Sequence, residues 1–269
     1  MTTRIYYPLA EAQEISHEFQ KQSNLLLEGN SAHHLITVLR RKVGDPVILF
    51  DGNNTEYHTI IEKMDKKRIW LTLTKKITIN RESPLSIHLM QGISKGDRMD
   101  WVVQKSVELG VASITPILTQ HAAVKLDPER MLKKVEHWQN IAISACEQCG
   151  RNIIPIINPI IHFSDVFSDN RHQLHTLDQS IRWILHPAVS LSGSPSKNSP
   201  PHQSVITHAE LLIGPEGGFS AEEVSQAQLN NYQPITLGPR ILRTETAAVA
   251  AISALQTYFE HWIDGFNHE

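Results

Sequence analysis

The sequence predicts an α/β protein in which a small strand-rich barrel precedes a mostly parallel sheet flanked by helices. Three observations predict it. The first 80 residues hold β-rich runs around a hairpin signal; the later residues alternate strand and helix patterns; and two apolar runs near the C-terminus end in the same Gly-Pro exit, Gly214-Pro215 and Gly238-Pro239. At 269 residues the chain is long enough for one large domain, or for two with one of them small.

In the first part, Ser31 is placed to cap a helix across AHHLITVLR, and Val43-Gly44-Asp45-Pro46 turns the chain into VILFDGNNTEYHTIIE. Asp51-Gly52-Asn53-Asn54 is the hairpin signal, flanked by Val, Ile, Thr and aromatic residues. RIWLTLTKK continues the barrel, and NRESPLS, with Pro84, reads as a linker.

From about residue 85 the pattern changes. LSIHLMQGI reads as a strand, and DRMDWVVQKSVELG as a helix with Asp97 as cap, Asp100 near its positive end and Gly110 as terminator. SITPIL is the next strand, followed by a long helix through PERMLKKVEHWQNIAISACEQ that Gly150 stops. NIIPII, IRWIL, AELLI and QPITL complete the sheet, and SLSGSPSKNSPPHQS, within 190–204, reads as a surface loop. In the last helix, Ala247, Ala248, Ala250, Ala251 and Ala254 permit close backbone approach, by another element of the same chain or by a second copy.

Apolar content of 41% and charged content of 20% are those of an ordinary globular protein, and no apolar run nears the roughly 18 residues that span a bilayer. The N-terminus lacks the charged opening and apolar stretch of a signal peptide, so a cytoplasmic protein is expected. Net charge is −3, unevenly spread: residues 1–80 carry 11 Lys and Arg against 9 Asp and Glu, and the remainder 14 against 19. Arg40-Arg41-Lys42 and Lys66-Lys67-Arg68 form clusters that suit either a phosphate backbone or a solvated face.

Cys146-x-x-Cys149 has the spacing of a zinc or thiol-redox motif, but the chain has no further cysteine, and no His-x-x-His hairpin pairs with this motif to complete a zinc site. Two ordinary helical thiols, and no metal, are expected.

The strand exits carry the chemistry. Leu185-His186-Pro187, the Gly-rich run from Gly214 to Phe219, and Leu237-Gly238-Pro239-Arg240 each follow a predicted strand. In open parallel sheets, ligands sit beyond such carboxyl ends. Glycine lets backbone groups approach a ligand, and proline stiffens the turn. No Gly-Lys-Ser/Thr follows, which excludes a Walker loop, and no Gly-x-Gly-x-x-Gly opens a helix after the first strand. Ser220 and Glu223 have the spacing of a capping box, so one such loop alone would be a helix entry; three exits point to a pocket.

The stretches HHLITVLRRKVGD, KGDRMDWVVQKSVELGV, ACEQCGRNIIP, LHP, LLIGPEGGFSAEEV and LGPRILRTETAAVAA run in order over nearly the whole chain. They resemble the ribosomal RNA small subunit methyltransferase E family, within the SPOUT class of knotted methyltransferases. The resemblance implies a PUA-like RNA-binding β-barrel over 1–78 and a SPOUT domain over 79–269, whose parallel sheet carries a deep trefoil knot and which pairs as a homodimer. It implies S-adenosylmethionine as cofactor, and methylation of uridine N3 in 16S ribosomal RNA on the small subunit as the reaction.

Carried over to this chain, the resemblance places the cofactor against Leu185 and His186, against Ile213, Gly214, Gly217 and Gly218, and against Leu237, Gly238, Ile241 and Leu242. Arg243 is the candidate cation for the developing uridine anion, Glu216 or Glu245 the candidate proton acceptor, and Thr244 faces the RNA beside them. RNA contacts fall to Arg4, Arg40, Arg41, Lys66, Lys67 and Arg68 in the barrel, and to Lys95, Arg98 and Arg151 in the second domain. His121 stands where the family often has arginine, which makes an RNA grip there sensitive to pH. Two other readings are a noncatalytic RNA-binding assembly factor and the same chemistry on another RNA, such as transfer RNA.

Overall fold

The computed structural model describes residues 2–8, 24–122, 126–168, 180–186 and 206–260. Pro187 and the Ser/Pro-rich stretch 190–204 lie outside the described residues. The chain forms two compact units: Met1–Glu82 with Ile143–Ile154, and Ser83–Ala142 with Pro155–Glu269.

The first unit is a five-stranded sheet of β1 (Thr3–Tyr6), β2 (Asn24–Leu27), β3 (Pro46–Phe50), β4 (Thr55–Met64) and β5 (Ile69–Thr78), ordered β1-β3-β4-β5-β2. β3 and β4 pair antiparallel across the expected turn. Gly52 and Asn54 take positive φ there, and the Asp51 carboxylate accepts from the Asn53 and Thr55 N–H groups at 2.7 and 3.1 Å. Val47, Leu49, Ile61, Ile69 and Leu71 alternate inward and are fully buried. β1 and β2 have four residues each, too short for alternation to stand out, yet β1 closes one edge by pairing parallel with β3.

The short helix of this unit departs from expectation. β2 delivers Glu28 in extended backbone, so helix α1 (Gly29–His33) starts at once and Ser31 lies inside it rather than capping it. A π-turn, His34–Val38, continues α1. It ends on Arg40, whose backbone is left-handed (φ +50°), while the Arg41 N–H bonds back to the Leu35 carbonyl at 2.9 Å.

The second unit is built on a parallel sheet. Its strands are β6 (Ser86–Gly92), β7 (Ser113–Leu118), β8 (Ile156–Ile157), β9 (Ile161–His162), β10 (Ser180–Leu185), β11 (His208–Ile213) and β12 (Gln233–Ile235). They are ordered β12-β10-β11-β6-β7-β8, with β9 also on β7, and every pairing is parallel. Near-continuous apolar runs such as Leu211-Leu212-Ile213 suit strands buried on both faces. Helices α2 (Arg98–Glu108), α3 (Pro128–Cys149), α4 (Ala221–Leu229) and α5 (Thr244–Glu260) complete the order, the last turns of α3 from Ile143 belonging to the first unit.

Asp97 precedes α2 but makes no side-chain capping bond, because its own backbone is already helical (φ −75°, ψ −3°). Asp100 works from inside the helix instead, accepting from the Trp138 indole at 3.0 Å and lying 2.8 Å from the His137 ring. Gly110 ends α2 and Gly150 follows α3, both at positive φ. Ser220 and Glu223 form a full capping box on α4.

Register decides where a site can form. Leu185, the last residue of β10, pairs with Ile213 of β11 on one side and Ile235 of β12 on the other, and Ile213 pairs with Gln91 of β6. Four neighbouring strands therefore end level.

Candidate active site

A cavity of about 490 Å³ lies at these strand ends. Leu185 and His186 wall it beyond β10, Ile213 to Phe219 beyond β11, Ile235 to Leu237 at the end of β12, and Arg240 to Thr244 on the way into α5. Nine of the ten expected cofactor contacts line it; Gly238, the tenth, does not. The size and the mixture of apolar side chains with bare backbone are those of a small-molecule site.

The glycines divide the labour. Gly218 (φ +69°) and Gly238 (φ +81°) take left-handed turns where an added Cβ would meet no atom within 4 Å, and of the two only Gly218 lines the cavity. At Gly217 a Cβ would come 2.8 Å from the Cβ of His121, and at Gly214 it would come 3.1 Å from Gly218. His121, 3.2 Å from the Gly217 carbonyl, must donate through Nδ1, since a carbonyl only accepts. The histidine thus braces the glycine loop. On the far wall Ile241 is 85% exposed, an apolar side chain left at the cavity edge.

Of the candidate catalytic groups, Arg243 is exposed on the cavity wall. Glu216 is there too, but it accepts from Arg98 Nη1 at 2.7 Å and from the Lys95 N–H at 3.2 Å. Burial works to raise its pKa, yet its own N–H, Arg98 and the Lys95 N–H outweigh that and hold the carboxyl below its ordinary range. Such a group is a weak base, and Glu216 ties the loop to the start of α2. Glu245 lies on the first turn of α5, outside the cavity lining, and its buried Oε2 has no partner among the described residues. Thr244, expected to face the RNA, is turned inward and donates to the Gly214 carbonyl at 2.7 Å. Burial lowers the pKa of the His186 imidazole, so at neutral pH it is an uncharged wall.

The expected RNA contacts separate into two groups. Arg4 and Arg151 are corrected. Arg4, its side chain 8% exposed, bonds Glu56 and Asn152 Oδ1, each at 2.6 Å, and stacks on the Phe50 ring. Arg151 is buried against Glu82. Both belong to the network that seats 143–154 in the first unit, and both guanidinium groups are buried and turned inward onto carboxylates, away from any phosphate in solvent. By contrast Arg40, Lys66 and Lys67 are exposed, Arg41 partly so, and Arg68 is half-exposed beside Asp65 and Trp70. Lys95 and Arg98 lie exposed near Glu216 in the second unit.

Cys146 is buried on α3, 3.6 Å from the Ile153 carbonyl, and burial pushes its thiol up to about 12. Among the described residues no cluster of His, Cys, Asp or Glu is arranged to hold a metal, and no helix is long and apolar enough to cross a membrane.

Sequence reasoning missed what lies beneath the glycine loop. Gly92 ends β6, where an added Cβ would fall 2.5 Å from Pro215. Gln91 beside it is fully buried and reaches Thr244. The signal was the one used for the other exits: a glycine at the carboxyl end of a strand.

A parallel sheet whose level strand ends hold a glycine-walled cavity defines a small-molecule-binding α/β domain, and the comparisons place that domain. Residues 81–256 match a family described as an RNA methyltransferase domain, and 27–74 one described as an RNA methyltransferase PUA domain. The ribosomal RNA small subunit methyltransferase E of Buchnera aphidicola (Acyrthosiphon pisum) is 40% identical over 87% of each chain. That of Bacillus subtilis is 30% identical over 88% of this chain and 91% of its own. A Legionella pneumophila protein solved with bound SAM superposes with TM-score 0.78 at 41% identity, covering 96% of this chain and 98% of its own. The ribosomal RNA small subunit methyltransferase E of Neisseria gonorrhoeae, bound to S-adenosyl methionine, gives TM-score 0.77 at 33% identity over 96% and 98%. The chain belongs to the ribosomal RNA small subunit methyltransferase E family.

Proposed function

We propose that this chain transfers the methyl group of S-adenosylmethionine to N3 of a uridine in 16S ribosomal RNA, on the assembled small subunit. The cavity at the level strand ends carries the reading, because bare glycine backbone and apolar walls suit an adenine ring and an amino-acid tail. Relatives named for small-subunit rRNA methylation and neighbours solved with the cofactor support it.

Residues fitted to hold the cofactor are Gly214 and Gly218 through backbone, and Leu185, Leu237, Ile241 and Leu242 through apolar contact. The cofactor's sulfonium supplies an activated methyl. The chain's own tasks are to aim N3 and to stabilise the anion left when N3 loses its proton. Arg243, exposed on the wall, supplies the cation for O2 or O4. With Glu216 held by Arg98, it positions the loop, and Glu245 is the remaining carboxylate to receive or relay the proton.

In this reading the PUA-like barrel, 1–78, grips RNA through Arg40, Arg41 and the Lys66-Lys67-Arg68 turn, and 79–269 binds cofactor with Lys95 and Arg98 beside the site. The segment from Leu237 into α5 forms a trefoil knot around the cofactor. Two cytoplasmic copies pair through α5, which keeps Ala254, Thr257 and Tyr258 exposed along one side.

Labelled S-adenosylmethionine offered with undermethylated small subunits, naked 16S rRNA and transfer RNA tests this. Label at uridine N3 in the subunit is expected, with little in the other two, and Arg243→Ala lowers turnover while cofactor affinity holds. Cofactor binding without transfer to any RNA removes the reaction; absence of both leaves a noncatalytic RNA-binding factor.

A further inference from the structure

Beneath the glycine loop, residues from three separate stretches of chain meet. Gln91 is fully buried at the end of β6, and its Nε2 lies 3.0 Å from the Gly92 carbonyl and 2.9 Å from Thr244 Oγ1. The Ile213 carbonyl is a third acceptor near it, at 3.5 Å. Because carbonyls only accept, the amide orientation is fixed with nitrogen toward them. Thr244 donates its own proton to the Gly214 carbonyl at 2.7 Å, so its lone pair is what faces Gln91. The chain Gln91 Nε2–H to Thr244 Oγ1–H to Gly214 O therefore runs in one direction, with each donor used.

The surroundings show that this contact is built closely. Gly92 lacks a side chain where one would press on Pro215 at 2.5 Å and on the Gly214 carbonyl carbon at 2.9 Å. Gln91 Oε1 is buried with no partner among the described residues, which normally costs free energy. The amide is kept for its two donors.

We infer that Gln91 and Thr244, over the floor left by Gly92, form a clasp that sets the distance between the two cavity walls. Gly214 begins the wall beyond β11, and Thr244 ends the 240–244 wall. The Thr244 hydroxyl joins the two by a direct hydrogen bond. The inference rests on the cofactor reading of the cavity. Gln91 and Thr244 are positioning residues: they act on the ligand through the walls they join.

The test uses the full chain with Thr244→Val, Thr244→Ser and Gln91→Leu. Amide exchange of 214–219 is followed without ligand, S-adenosylmethionine affinity by calorimetry, and unfolding by heat. Thr244→Val and Gln91→Leu are expected to speed exchange of that loop alone and to weaken cofactor binding about fivefold to tenfold, the scale of one neutral hydrogen bond. Midpoints stay within about 5 °C, and Thr244→Ser, which keeps the hydroxyl, restores loop protection and affinity. Unchanged loop exchange, or affinity within twofold in both variants, overturns the clasp. So does faster exchange across the whole unit, which marks general loosening. A parent chain that binds no S-adenosylmethionine removes the cofactor reading, and the exchange arm then decides the clasp by itself.

Discussion

In the first unit, two arginines that the sequence offers as RNA contacts, Arg4 and Arg151, turn inward onto Glu56 and Glu82. In the second unit the cavity is walled by glycine backbone and apolar side chains, and the Arg98–Glu216 ion pair stands at its exposed edge. The difference follows from what each region must do. Seating 143–154 on the barrel fixes one geometry, and buried charged hydrogen bonds punish any other. A ligand cavity must let a ligand come close to the chain, which glycine, lacking a side chain, allows and paired charges do not.

Glu56→Gln tests the first half of that contrast and carries the largest effect. It leaves Arg4 and Arg81 against a neutral amide, with an expected loss of about 3–5 kcal/mol in denaturant unfolding. Cofactor affinity of the folded fraction stays within twofold; a parallel fall would show that the two regions are not energetically separate. The pH dependence has a definite sign. Burial would raise the Glu56 pKa, but Arg81 and Arg4 outweigh it and bring it from 4.5 to about 2. The folded value is below the unfolded one, so this stability is fully present above about pH 4.5 and drains as pH falls through 2. It amounts to roughly 3 kcal/mol. Acid titration of unfolding should lose that part of its slope in Glu56→Gln.

Gly218→Val tests the second half. The position is left-handed and faces open space, so valine strains the turn and fills the cavity without striking the core. About a hundredfold weaker S-adenosylmethionine binding is expected, with far-UV circular dichroism unchanged. Normal affinity in that variant would remove Gly218 from the cofactor wall.

What the sequence made legible tracks the range of the interactions involved. Asp51-Gly52-Asn53-Asn54 and the Ser220 capping box are local signals, and both form as read. The parallel sheet was legible because its buried strands are continuous apolar runs, and the cavity because three exits follow such strands. Arg4 was misread because its partners Glu56 and Asn152 are 52 and 148 residues away, and an arginine shows no sign of which carboxylate it will meet. Gln91 and Gly92 went unnoticed for a related reason. Gln91's partner Thr244 is 153 residues on, and only the alignment of β6 with β11 makes Gly92 a floor under Pro215.

The smallest expected effect sharpens the contrast from the RNA side. Lys67 is exposed on the β4–β5 turn, where the Asp65 carboxylate accepts its backbone N–H at 2.9 Å, so the turn holds its shape whatever side chain it bears. Lys67→Ala should leave stability within about 0.5 kcal/mol, as surface substitutions do. If the side chain meets a phosphate, small-subunit binding weakens by a few fold for any sequence, and the slope of log affinity against log salt falls by about 1. Arg151→Ala should behave in the opposite way, lowering stability through the stranded Glu82 while the salt slope of the folded fraction holds. An equal drop in slope for both would mean that the Arg151–Glu82 pair opens to meet RNA, and that the first unit's buried charges are not fixed after all.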